Sequence, residues 1–228
     1  MVAIMTKRDY VGEILSKRSR LFPDNPRWRQ VSVNLNKIIE SLDLLEPIFE
    51  RDPFSNMSEI LPFFPIRLVA CFEGYFRLAY ADLIDRVAAF QNNASQFDIK
   101  FSLHTAISLR HHSVSLGDFI AHLLPTNNLE DINRNMTKIT NEDFLDKFKE
   151  TRPQIYPLVQ TALLPEWEVD PDAEILSRIK RIFELRHIFS HELAPTEVLR
   201  IDGIREYSYS AIRFLHVSEE VVTQYLST

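Results

Sequence analysis

Between Leu68 and Phe90 the apolar side chains recur every three or four residues, as Leu68, Phe72, Phe76, Ala79, Leu83, Val87 and Phe90. That spacing matches the 3.6-residue turn of an α-helix and not the two-residue period of a strand. The stripe follows Pro62 and Pro65 and runs out at Gln91-Asn92-Asn93. It predicts one helix over about Pro65 to Phe90, roughly 39 Å long at about 1.5 Å per residue, and makes that helix the expected centre of the core. Gly74 lies in its middle, where glycine costs about 1 kcal/mol against alanine. Close packing of a neighbouring helix would account for it.

The rest of the chain reads the same way. Val31, Leu35, Ile38, Leu42, Leu45 and Phe49 form a second stripe after the turn Phe22-Pro23-Asp24-Asn25-Pro26, with Pro47 expected to end or kink its last turn. A shorter helix is expected over Asp9 to Leu21 with Val11, Ile14 and Leu15 inward. Ser115 and Asp118 form a capping pattern for a helix over Leu116 to Leu124, closed by Pro125. Residues 126–140, rich in Asn and Thr, read as loop or short turns. Short helices are expected over Asn141 to Lys149 and Gln154 to Leu164, with Pro165 to Pro171 as a connection. The last two helices are expected over Asp172 to about His191 and Tyr207 to Leu226, with Asp202-Gly203 as a turn between them. Strand signals are weak, so the fold class is all-α, an irregular helical bundle.

Composition narrows the function. Of 228 residues only 4 are Gly, which argues against a nucleotide fold built on Gly-rich loops. The lone Cys71 excludes a disulfide framework and fits a reducing, cytoplasmic setting. No run of eighteen apolar residues occurs, so no membrane span is expected. The net charge is -6, but residues 1–30 hold seven basic against three acidic side chains, leaving an acidic remainder. A basic arm on an acidic body suits phosphate contact, or simply a solvated helix face.

The most informative segment is Glu184 to His191. The stripe Ile175, Ile179, Ile182 leads to Arg186 on the same face, and a second line runs Leu176, Phe183, His187, His191. An arginine is costly to bury alone and demands an anionic partner: a carboxylate, a helix C-terminus or a bound phosphate. An Arg–Glu pair with satisfied core histidines, involving Glu184 or Glu192, meets the same demand.

Arg186-His187-Ile188-Phe189-Ser190-His191 resembles the signature of the HEPN superfamily, an arginine, a polar residue, three variable residues and a histidine. Ile175 to Leu185 is similar to that family's third core helix, and Phe72-Glu73-Gly74-Tyr75-Phe76-Arg77 to its first. The resemblance implies a HEPN-like core over residues 61–228 within a single compact domain, with residues 1–60 as an N-terminal helical extension. It further implies a metal-independent endoribonuclease that works as a homodimer, with RNA as substrate, and a toxin, stress or phage-defence role under an antitoxin or other regulatory protein. On that reading Arg186 clamps the phosphate, His191 is the acid/base group and His187 orients the phosphate or His191. Arg178, Lys180 and Arg181 would bind flanking phosphates, or form a solvated face. Glu73 would orient the site across a helix interface, or pair with Arg77 four residues on.

No cofactor and no metal are expected. His104, His111, His112 and His122 lack a carboxylate at ligand spacing. The acids Glu130, Asp131, Glu142, Asp143 and Asp146 are not spaced as a calcium loop. Cys71 reads as a packing residue. The alternative function is a non-catalytic HEPN-like interaction or nucleotide-binding module, since a fold does not dictate a chemistry.

Overall fold

A computed structural model of the chain describes residues 9–17, 26–52, 59–151, 172–191 and 197–227. The structure is all-α, with no strand among these residues. The helices are α1 (Tyr10–Lys17), α2 (Pro26–Arg51), α3 (Phe63–Arg86), α4 (Ala88–Asn93), α5 (Leu103–His111), α6 (Leu116–Leu123), α7 (Leu129–Thr140), α8 (Phe144–Glu150), α9 (Asp172–His191) and α10 (Ile201–Leu226). The helix expected over Gln154 to Leu164, the connection Pro165 to Pro171, Glu192 and the turn residues before Pro26 lie outside the described residues.

Helix α3 is central because its apolar residues reach around most of its circumference. Leu68, Phe72, Phe76, Ala79 and Leu83 are fully buried, and so are Tyr75, Tyr80 and Ile84 from the other faces. It is packed by α2, α6, α9 and α10. Phe72 and Phe76 each meet Phe214 of α10, at 5.6 and 5.8 Å between ring centroids, and Phe76 meets Phe144 of α8 edge-on at 5.7 Å. Offset and edge-on pairs of this kind add to the area they bury.

The expected single helix to Phe90 stops at Arg86. Val87 takes an extended conformation (φ -119°, ψ 110°), which its branched β-carbon favours, and α4 starts in a new direction. The redirected chain sets Phe90 edge-on against Tyr225 at 5.8 Å and lets Asn93 Nδ2 donate to the Ile139 carbonyl at 2.8 Å.

Three other expectations are corrected. Residues 129–140 are the helix α7, not a loop: Asn128 caps it by accepting from the Asp131 amide at 2.7 Å, and Leu129, Ile132, Met136 and Ile139 form its buried face. Helix α10 begins at Ile201, so Asp202 and Gly203 sit in its first turn rather than in a turn between helices. Helix α2 does not end at Pro47 but runs through it to Arg51, because the ring is exposed and one lost bond near a helix end is tolerable.

The stripe Val31 to Phe49 of α2 lies in the same core cluster as α3, α9 and α10. A division at residue 60 therefore does not coincide with a break in the packing. Among the described residues a second, smaller cluster joins Val11 and Ile14 of α1 to Leu109 of α5, to Val114 and to Phe119 of α6.

A buried charge network ties the three longest helices together. Arg27, in the first turn of α2, grips Glu219 of α10 with two bonds, Nε to Oε2 at 3.2 Å and a terminal nitrogen to Oε1 at 3.0 Å. Its other terminal nitrogen bonds Asp82 of α3, and the Tyr75 hydroxyl of α3 donates to Glu219 Oε2 at 2.9 Å. Burial works against the guanidinium's charge, but the bonds and charges of Glu219, Tyr75 and Asp82 outweigh it and hold its pKa above the ordinary value. Burial and the adjacent carboxylate push the Tyr75 phenol up. Arg27 is thus a structural member of the basic N-terminal stretch and is not open to phosphate.

Removing Arg27 strands Glu219 in the core. Arg27→Met is expected to cost roughly 3–5 kcal/mol in urea unfolding, and Arg27→Met with Glu219→Leu to recover most of it. Gly117, in the first turn of α6, and Gly74, in the middle of α3, should behave oppositely. A β-carbon at Gly117 would lie 2.4 Å from the Ala81 carbonyl, where the Gly117 amide also donates to Asp85 at 2.8 Å. One at Gly74 would meet nothing within 4 Å, so the packing expected there is absent. Gly117→Ala is expected to destabilise by about 1–3 kcal/mol and Gly74→Ala to stabilise by up to about 1 kcal/mol, read as shifts of the thermal midpoint in opposite directions.

Candidate functional site

Helix α9 is amphipathic for its first three turns and then leaves the core. Ile175, Ile179, Ile182 and Leu185 are fully buried. Arg186 is half-buried at the edge of the face they define, while His187, Ser190 and His191 are exposed. The second line from Leu176 and Phe183 therefore does not continue inward as histidines. It emerges into solvent in the last turn, and the reading of satisfied core histidines is corrected by that exposure.

His187 and His191, four residues apart, meet in a tilted pair with ring centroids 4.9 Å apart and planes inclined by 51°. Arg186 and His191 are five residues apart, which turns their side chains about 140° from each other around the helix axis. No hydrogen bond or ion pair joins them. Arg186 instead reaches across the α3–α9 interface, where a terminal nitrogen lies 3.6 Å from Glu73 Oε1. Glu73 makes no pair with Arg77 among the described residues.

Arg186 and His187 line a groove of about 730 Å³ between α9 and the start of α7. Lys180, Arg181, Phe183, Glu184 and Ile188 complete the α9 wall, and Asn127, Asn128 and Glu130 stand on the opposite one. His191 is not among the lining residues. The α7 wall was hidden in the stretch read as a loop. The signal that reveals it is Asn128 with an acid three residues later, a helix start.

The cations expected to hold flanking phosphates are occupied by carboxylates. Arg178 bonds Glu174 at 2.5 Å, with Glu206 at 3.7 Å and the Ser210 hydroxyl at 3.4 Å. Lys180 reaches over the groove to Glu130 at 2.8 Å and holds that carboxyl below its usual range. Arg181 is held between Glu184 at 3.0 Å and Glu197 at 2.7 Å, which raises its pKa. Arg186 stands apart from these three: among the described residues its carboxylate partner is at 3.6 Å without a hydrogen bond, and its side chain is partly open to the groove.

The remaining histidines have local roles. His122 of α6 is buried and meets Glu13 of α1 at 2.7 Å, and His112 contacts the Ser108 carbonyl. His104 and His111 are exposed on α5. Among the described residues no three His, Cys, Asp or Glu side chains converge as a metal site requires. Burial raises the Cys71 thiol to about 11, which keeps it a packing residue. No helix among the described residues is long and apolar enough to cross a membrane.

No protein-family model, curated protein or solved structure matches the chain.

The length and partial exposure of the Arg186–Glu73 pair make it a weak contributor to stability. Glu73→Ala is expected to lower the unfolding free energy by less than about 1 kcal/mol. A loss of more than about 3 kcal/mol in denaturant titration would identify the pair as a structural strut.

Proposed function

We propose that the chain is a metal-independent endoribonuclease of the HEPN type, acting as a homodimer in the cytoplasm. The observation that carries this reading is Arg186: a half-buried guanidinium on a groove wall, held among the described residues by a 3.6 Å ion pair, beside two exposed imidazoles in tilted contact at the end of the same helix.

The chemistry follows from those groups. A ribose 2′-hydroxyl attacks the adjacent phosphorus, the bond from phosphorus to the 5′-oxygen breaks, and the products are a cyclic phosphate and a free 5′-hydroxyl. An imidazole takes the proton from the attacking hydroxyl or gives one to the leaving oxygen, near neutral pH. His191 has this role, and His187, in ring contact with it, positions it or the phosphate. The Arg186 fork binds the phosphate oxygens and stabilises the charge that grows on them. Glu73 holds the guanidinium at the groove wall until a phosphate competes for it. Because Arg186 and His191 point about 140° apart on one helix, a single protomer does not present both to one phosphate. A two-fold dimer brings a second pair to a shared cleft and removes that restriction. A toxin, stress or phage-defence role, with an antitoxin or other regulatory protein as partner, fits such an enzyme.

A second reading has its own observation. Lys180 and Arg181 on the groove wall, and Arg178 outside it, are each neutralised by carboxylates, so the helix offers little free positive charge to an RNA backbone. That favours a non-catalytic helical interaction or nucleotide-binding module.

The test mixes the full chain with single-stranded RNA in EDTA and follows cleavage and end chemistry. Cyclic phosphate ends are expected, with rates falling about 10²-fold or more in Arg186→Ala and in His191→Ala, and sedimentation is expected to show a dimer. Unchanged cleavage in both variants removes these residues from catalysis. No cleavage of any RNA by the unaltered chain leaves the non-catalytic module.

A further inference from the structure

A second groove, of about 390 Å³, lies far along the chain from the α9 site, between α2 and the start of α3. Its floor is apolar, made by Ile38, Leu45 and Phe64, which belong to the edge of the core. Toward the α2–α3 connection its rim is apolar as well, and open: Leu44 is 77% exposed and Phe63 63%. Large apolar side chains grouped around a concavity mark a binding surface more often than a solvated one.

The groove is also polar in one direction. Lys37 and Arg67 are the lining residues farthest from the α2–α3 connection on their respective helices, so both stand at the same end. Leu44, Ile60 and Phe63 stand at the other. From Lys37 to Leu44 is seven residues of helix, about 10 Å. Neither Lys37 nor Arg67 makes an ion pair or a side-chain hydrogen bond among the described residues. This is unlike the cations of α9, and unlike Arg205, which holds Asp43 at 2.8 Å and Glu46 at 2.8 Å from α10. Those two α2 carboxylates are turned toward α10 and do not neutralise the groove.

We infer that this groove binds a single-chain amphiphile with an anionic head, of the medium-chain fatty-acid class. The carboxylate sits between Lys37 and Arg67, and the alkyl chain runs along Ile38, Leu45 and Phe64 toward Leu44 and Phe63. Complementarity of charge at one end and of apolar surface at the other selects this occupant over a neutral or cationic one. The volume lies within the usual range for small-molecule sites. The inference is independent of the ribonuclease reading, since it shares no residue with the α9 groove.

The experiment titrates the full chain with sodium decanoate below its micellar concentration by calorimetry, alongside decanol and decyltrimethylammonium. One saturable decanoate site per chain is expected, with the neutral and cationic analogues at least about tenfold weaker. Lys37→Gln combined with Arg67→Gln is expected to weaken decanoate about tenfold, an effect that shrinks with added salt. Leu44→Glu is expected to weaken it by more than about tenfold while leaving the thermal midpoint unchanged, because that side chain is mostly exposed. Equal binding of the cationic analogue, or unchanged binding in Leu44→Glu, overturns the inference. So does the absence of saturation by decanoate, which would leave the groove to a helical protein segment.

Discussion

One buried carboxylate, that of Glu219 in α10, ties the first turn of α2 and the middle of α3 to the last of the three longest helices. It accepts two bonds from Arg27 and one from Tyr75, so α2, α3 and α10 are locked in register at a single point. Apolar packing does not specify register this sharply, because neighbouring hydrophobic rows can slide past each other at modest cost. A buried charge cannot slide, since any shift leaves it unpaired in a medium of low polarity. With those helices held, the aromatic side chains Phe72, Phe76 and Phe214 meet in edge-on and tilted pairs, and α9 is left one face of α3 on which to pack.

The placement of α9 produces the candidate site. Its apolar stripe is long enough to bury three turns, and the fourth turn projects beyond the core. Arg186 falls at the crossing point, close enough to α3 to reach Glu73 and far enough out to line the groove with α7. His187 and His191 fall beyond it and are solvated. The groove walls differ in character: on α9 the cations upstream of Arg186 are matched by acids, while Arg186 is matched loosely. A loosely held guanidinium retains donors for a ligand, whereas a tightly bridged one such as Arg181 does not.

Much of this was readable in the sequence where a single period governed it. The stripes of α2, α3 and α9 were legible because a helix that buries one face must repeat its apolar residues every three or four positions. Arg186, His187 and His191 were legible as polar residues where that repeat should have continued. Helix α7 was not, because Asn133, Arg134, Asn135 and Lys138 lower its mean hydropathy and its four buried apolar residues are diluted among them. The stop at Arg86 was hidden too, since Val87 and Phe90 keep the helical spacing across the break. The α7 wall of the groove was missed for the same reason that the helix was.

What the linear order of residues determined by itself is the all-α class, the register of each helix face and the identity of the charged and aromatic groups available. These follow from backbone geometry and from local patterns within a few turns. Only the tertiary structure decided which charges pair. Arg27 and Glu219 are 192 residues apart, Glu73 chooses Arg186 over the nearer Arg77, and Lys180 crosses to Glu130. The physical reason is that an ion pair depends on separation in space and on the loss of surrounding water, and neither is encoded by distance along the chain.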